Sequence, residues 1–310
     1  MSNFIKILFL LVAILSLALF LAKKQNSIIN SVSDKPFIAL STFSLYDITK
    51  HIAEDTLNIF MILPAGVDAH SFEPTPRLMA DIQKSALVVY SGAGLEPWTK
   101  NFEFKSKVID MSKHVKLLGL DSSSHHEHGD NCSHGAIDPH YWLDVQNMII
   151  ATNLITQELV DIFPTHKELY MQNREKYVMM LESIDRTYKK TLLKCKKETI
   201  IVNHNAFSYL SNRYGFNVEA LSGLSPEAEP SAKNMLRLIK HVKKHNIKTI
   251  FFESFVSDKA MKSIALEANV DIEVLHPLGN VTAKDIEQNL DFEKIMEMNL
   301  QKISKALECQ

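Results

Sequence analysis

From His166 to Lys194 the chain runs without a glycine or proline, and on either side short apolar runs alternate with amphipathic stretches. Within that stretch Tyr170, Tyr177, Leu181, Ile184, Tyr188 and Leu192 fall on one helical face, the spacing expected of a helix with one buried side. At 1.5 Å per residue such a helix extends on the order of 40 Å. That is long enough to lie along two lobes and to restrict hinge motion between them; two ordinary helices within one domain are the simpler alternative. A shorter stripe precedes it, with Val145, Met148, Ile149, Thr152, Ile155, Leu159 and Ile162 on one face before Pro164 interrupts.

The flanking segments repeat one grammar. Apolar runs at 37–43, 57–63, 86–90 and 107–111 read as strands, with helices over 45–53 and 75–84 between them. After the long stretch, strands at 199–202, 216–221, 247–252 and 271–275 alternate with helices at 206–214, 231–245 and 258–268, and a helix over 292–307 follows. Alternation of this kind implies parallel sheets covered by helices. The expectation is an α/β protein of two lobes, each a mostly parallel sheet covered by helices, joined by a long rigid linking helix. The divisions fall at 37–144 for the N-terminal lobe, 145–194 for the helical connector and 195–310 for the C-terminal lobe. With 310 residues, two lobes are expected over a single core. A net charge of -2 with scattered lysines gives no reason to invoke nucleic acid.

The amino terminus reads as an export signal. Lys6 precedes an apolar run from Ile7 to Ala22, with small Ser16 and Ala18 where a signal peptidase acts. Retention as a short anchor edged by Lys23 and Lys24 is the alternative, and no cysteine follows the run to carry a lipid. The three cysteines are Cys132, Cys195 and Cys309. Cys195 and Cys309 can pair within the C-terminal lobe or all three can stay free, since spacing alone leaves the geometry open.

Among the 13 histidines, four sit in loops next to a predicted strand or helix start. His70 follows the second strand in AGVDAHSFEPTP, His140 precedes a helix in DPHYWLD, His204 follows a strand in IVNHNAF, and His276 ends the last strand in EVLHPLG. Ligands of open α/β sheets bind beyond the carboxyl ends of the strands. Two sheets facing each other would therefore bring His70 and His140 from one lobe against His204 and His276 from the other. Four imidazoles can enclose tetrahedral Zn²⁺. Glu253, at the end of the 247–252 strand, is a further candidate as ligand, helix cap or orienting partner of a histidine. His51, His114, His166, His241 and His245 lie on helical or polar stretches and read as solvated. The segment HHEHGDNCSH, residues 125–134, reads as a histidine-rich loop that collects metal weakly and exchangeably.

With these residues in view, the chain resembles the metal-binding solute-binding proteins of ABC importers, specifically the zinc-uptake branch. The stretches that carry the resemblance are GVDAHSFEPTP, AIDPHYWLD, VNHNAFSYL, GLSPEAEPSA, FFES and LHPLG, in the expected order from about Phe37 to the C-terminus. The resemblance implies two α/β lobes joined by a long helix with metal between them, and makes His70 and His140 the first two ligands. At the third position manganese-type members resemble one another in having a carboxylate, whereas this chain has His204. Imidazole suits zinc where carboxylate suits manganese. At the fourth position the family usually has the Asp of LDPLG, and this chain has His276 instead. Whether His276, Glu253 or a water completes the shell is left open by the residues.

The function so implied is extracytoplasmic capture of Zn²⁺ by a monomeric, non-enzymatic binding protein that delivers it to an ABC transporter permease. The ion is cargo in this reading, with no catalytic cofactor. A manganese or iron carrier of the same fold is one rival. A zinc hydrolase using three histidines, a water and Glu253 as general base is another, with no HExxH or nucleophile motif in its favour.

Overall fold

The computed structural model describes residues 35–119, 137–222, 231–253 and 259–310. Residues 1–24, read above as an export signal or anchor, the histidine-rich segment with Cys132, and most of the GLSPEAEPSA motif lie outside the described residues. Within the described residues no helix is long and apolar enough to cross a membrane.

Strands β1 (Phe37–Leu40), β2 (Asn58–Met61), β3 (Leu87–Tyr90) and β4 (Lys107–Asp110) form one sheet in the order β2-β1-β3-β4, every pair parallel. Strands β7 (Thr199–Val202), β8 (Asn217–Ala220), β9 (Thr249–Phe252) and β10 (Asp271–Val274) form a second parallel sheet, ordered β10-β9-β7-β8. Between them in the chain, β5 (Leu118–Gly119) and β6 (Ile137–Asp138) make a short antiparallel pair that sequence periodicity does not announce.

Alternation along the strands assigns each face. Ile38 and Leu40 enter a large core cluster, while Ala39 joins a separate cluster on the outer face with Val88, Ile62, Ile82 and Trp98. In the second sheet, Ile200 and Val202 face the large cluster, and Ile201 packs outward with Ile250, Leu238 and Val242. Both faces of each sheet are thus covered, which is why these strands read as unbroken apolar runs.

Helices α1 (Phe43–Ala53) and α2 (Pro76–Ile82) cover the first sheet, and α5 (Ser208–Tyr214), α6 (Ala232–His245) and α7 (Lys259–Ala268) belong to the second. The connector is α3 (Val145–Ile162) followed by α4 (Lys167–Thr191). Their buried stripes, Met148, Ile155 and Leu159 on one and Tyr170, Tyr177, Leu181 and Tyr188 on the other, join the same cluster as Leu40 and Val202. One buried apolar mass therefore runs through both sheets and the connector. Deleting a fully buried leucine there, such as Leu181, would cost about 2–5 kcal/mol.

Polar ties cross the connector as well. Tyr177 on α4 donates to Asp47 on α1 at 2.7 Å, and Arg213 on α5 pairs with both Asp185 on α4 and Asp144 at the start of α3. The short helix α8 (Ala283–Glu287), opened by a reciprocal Thr282/Asp285 capping box, and α9 (Phe292–Ala306) follow β10. Cys195 and Cys309 form a disulfide that ties the segment after α4 to the chain end, the pairing alternative of the two that composition allowed.

Candidate metal centre

β7 and β9 are neighbours in the second sheet, so residues just past their carboxyl ends emerge side by side. His204 lies two residues past β7 and Glu253 one past β9, and the Glu253 carboxylate contacts His204 Nδ1. Both side chains are almost wholly buried. With the carboxylate lying against Nδ1, Nε2 is the nitrogen left to the other two imidazoles, and it is buried without a hydrogen-bond partner among the described residues.

The first lobe repeats the device with different parts. Asp138, the last residue of β6, accepts from the backbone N–H of His140 at 2.9 Å and from its Nδ1 at 2.8 Å. Tyr209 of α5 donates to the Asp138 carbonyl at 2.8 Å and accepts from Leu118 N–H at 2.9 Å, pinning the short β5–β6 pair from the other lobe. His140 Nε2 is thereby turned toward the same point as that of His204. A carboxylate behind a ligating imidazole fixes its tautomer and raises its basicity.

His70 is held otherwise. It sits in the loop after β2, half-buried, with its backbone N–H donating to Asp68 Oδ1 at 3.2 Å. Its ring faces the other two imidazoles, at centroid distances of 5.3 Å to His140 and 6.3 Å to His204. Burial, and then the neighbouring His140 and His204 rings, push its pKa down to about 3 from the ordinary 6.5, so His70 remains a neutral donor across the physiological range.

One nitrogen from each of these three rings lies within 4.8 Å of the others, the only such group of three or more ligand residues among the described residues. His70 Nε2 and His140 Nε2 are 3.3 Å apart. Two nitrogens bound tetrahedrally to one Zn²⁺ at ~2.0–2.1 Å would stand roughly 3.3–3.4 Å apart, so the pair has the spacing of a shared ion. Oδ2 of Asp138 and Oε2 of Glu253 are buried without hydrogen-bond partners among the described residues. Two such carboxylates are costly without a cation nearby and well compensated with one. The space beside the three rings, about 20 Å³, is the size of an ion or a single water. A larger cavity of about 240 Å³ beside Asp47, His51 and Tyr177 contains no comparable ligand group, so chemistry and not size marks the centre.

His276 does not join this group, where four imidazoles meeting at the cleft were expected. Its Nδ1 accepts from Leu278 N–H at 3.0 Å, and its Nε2 stands 3.5 Å from Asp285 Oδ2. The turn that achieves this places Leu278 at φ 61°, a left-handed conformation that pattern reading does not anticipate for leucine. Glu253 lies outside that group of three, with its carboxylate against His204 Nδ1. His51 departs from a simply solvated histidine, because its Nδ1 lies 3.3 Å from Asp47 Oδ2.

Two α/β sheets with three convergent imidazoles at the cleft between them define a metal-binding protein of the two-lobed, solute-binding class. The model of the family "Zinc-uptake complex component A periplasmic" matches residues 38–306, and the chain belongs to that family. It is 32% identical over 286 residues to the high-affinity zinc uptake system protein ZnuA of Bacillus subtilis, covering 90% of this chain and 89% of that protein. It is also 32% identical over 296 residues to the zinc-binding lipoprotein AdcA of Streptococcus pneumoniae, covering 93% of this chain and 59% of that longer relative. The structure of the Zn(II)-bound ZnuA-like domain of that AdcA superposes with a TM-score of 0.74 at 30% identity, covering 88% of this chain and 99% of that one.

Proposed function

We propose that this chain captures Zn²⁺ outside the cytoplasm through Nε2 of His70, His140 and His204, and delivers it to the permease of an ABC importer. The observation that carries the reading is the convergence of three imidazole nitrogens, two of them backed by buried carboxylates. An all-imidazole donor set favours zinc over manganese, which prefers oxygen ligands. The carboxylates of Asp138 and Glu253 balance the charge of the ion without entering its shell. A water completes the tetrahedron, since the space is of that size and His276 is engaged elsewhere.

Three histidines and a water also describe catalytic zinc sites. Against that reading, the Glu253 carboxylate lies against His204 Nδ1, and the space of about 20 Å³ beside the three rings is the size of an ion or a single water. The family supports transport, and the named relatives support zinc as cargo. We propose that the chain acts as a monomer. Competition titration with a chromogenic zinc chelator tests the proposal: one zinc per chain is expected, with His204→Ala strongly weakened. A His204→Ala variant of unchanged affinity would contradict it.

A further inference from the structure

The segment that follows β10 in the second lobe reaches across the cleft and is bonded chiefly to the first lobe. Pro277 O accepts from Trp142 Nε1 at 2.7 Å, and Gly279 O accepts from Phe43 N–H at 3.0 Å. Val281 O accepts from Gly66 N–H at 2.9 Å. Between these, the Asn280 side chain is 2% exposed. Its Nδ2 donates to both Pro64 O, at 2.8 Å, and Val67 O, at 2.7 Å, while its Oδ1 accepts from Val281 N–H at 2.7 Å. Pro64 and Val67 belong to the loop that carries His70, and Trp142 is two residues from His140.

His276 explains how the segment is aimed. Asn299 of α9 brackets its backbone, accepting from His276 N–H and donating to His276 O, and its ring accepts from Leu278 N–H. The turn is thereby braced from within the second lobe before it crosses. At its crossing point it passes so close to Trp142 that a Cβ on Gly279 would lie 3.1 Å from the indole. Among the described residues no carboxylate is paired with the His70 ring as with the other two, and this set of bonds from the opposite lobe holds the start of its loop.

We propose that Asn280 is a positioning residue for His70. From the second lobe it clamps the loop that carries this ligand, so that zinc affinity depends on a side chain that never touches the ion. The inference rests on the zinc-binding reading above. Asn280→Asp has nearly the same shape and keeps the acceptor for Val281 N–H, but sets a carboxylate oxygen against two carbonyl oxygens where two donors stood. The loop should then be repelled and His70 displaced.

The test is a double-mutant cycle on zinc affinity, measured by chelator competition for the wild-type chain, Asn280→Asp, His70→Ala and the double variant, with thermal melts of each metal-free protein confirming folding. Asn280→Asp should weaken binding by roughly tenfold, the lower end of what disturbing a ligand's support costs, and should add nothing once His70 is absent. A merely structural residue would weaken both backgrounds equally. That result, or an unchanged affinity in the single variant, would overturn the proposal. If Asn280→Asp fails to fold, the uncharged Asn280→Ser enters the same cycle with the same two outcomes. A wild-type chain that binds no zinc would instead remove the functional reading itself.

Discussion

His140 and His204 come from opposite lobes yet are built alike, whereas His70 and His140 share a lobe and are built differently. The first pair each have a buried carboxylate at Nδ1, supplied by Asp138 or Glu253. His70 sits on a half-buried loop whose bonds come largely from across the cleft. Two rings thus have a carboxylate of their own lobe at Nδ1, and the third sits on a loop that Asn280 and Val281 of the other lobe bond. On the proposed reading, His70 is the ligand whose loop leans most on bonds from the other lobe.

The largest effect should follow removal of either braced ligand. A structural zinc site with about 10–16 kcal/mol of apparent binding energy spread over four ligands loses on the order of 100-fold in affinity per imidazole. His140→Ala and His204→Ala should therefore weaken zinc binding by about that factor in competition titrations. A large difference between them would break the likeness of the two lobes.

Next come the carboxylates. Asp138→Asn and Glu253→Gln should each weaken binding by about 10–100-fold, read in the same titration, with the three imidazoles still in place. An effect from only one of them would show that the two braces are not equivalent.

A smaller effect appears in pH. Folded His70 has its pKa pushed down to about 3, so below about 6.5 the unfolded chain takes up a proton that the folded chain refuses. Metal-free protein should lose stability as pH falls from about 6.5 toward 3, and His70→Gln should flatten that loss in pH-dependent melts. A slope that survives the substitution would deny the ring its burial among the other imidazoles.

His51, in the same lobe and paired with Asp47, has the opposite sign. Its bond to Asp47, against the opposing pull of burial, raises its pKa to about 9. Its contribution is fully present below about 6.5 and is lost as pH rises through about 9. Because the ring is exposed, solvent screens the pair and the effect should be the smallest of the series. Comparing His51→Gln with the wild-type chain in melts at pH 6 and pH 10 measures it, with convergence of the two at pH 10 as the expected result.

Much of this arrangement is legible from residue order. Strands bounded by Pro64 and Gly66 or by Asn246 are readable because their faces are both buried and their turns are chemically marked. His70, His140 and His204 are recognisable because each lies just past a strand or just before a helix. Glu253 is legible as a candidate, and the adjacency of β7 and β9 is what brings its carboxylate against His204. Asp138 was findable, since a carboxylate two residues before a histidine can bond both its backbone and its ring.

Other features depend on tertiary bonds that no local pattern encodes. The direction of the His276 ring follows from the left-handed turn at Leu278 and from Asn299, 23 residues away. Asn280 acts on carbonyls more than 200 residues earlier in the chain. The α8 capping box, Thr282 with Asp285, carries a local signal, but the helix it opens is too short for periodicity to register.

The most direct measurement is a crystal structure of the zinc-loaded chain, with anomalous scattering at the zinc edge to locate the ion. A single peak about 2.0–2.1 Å from Nε2 of His70, His140 and His204, with His276 still turned toward Leu278, is the result this account requires. A peak bound elsewhere, or those three rings standing apart in the loaded protein, would contradict it.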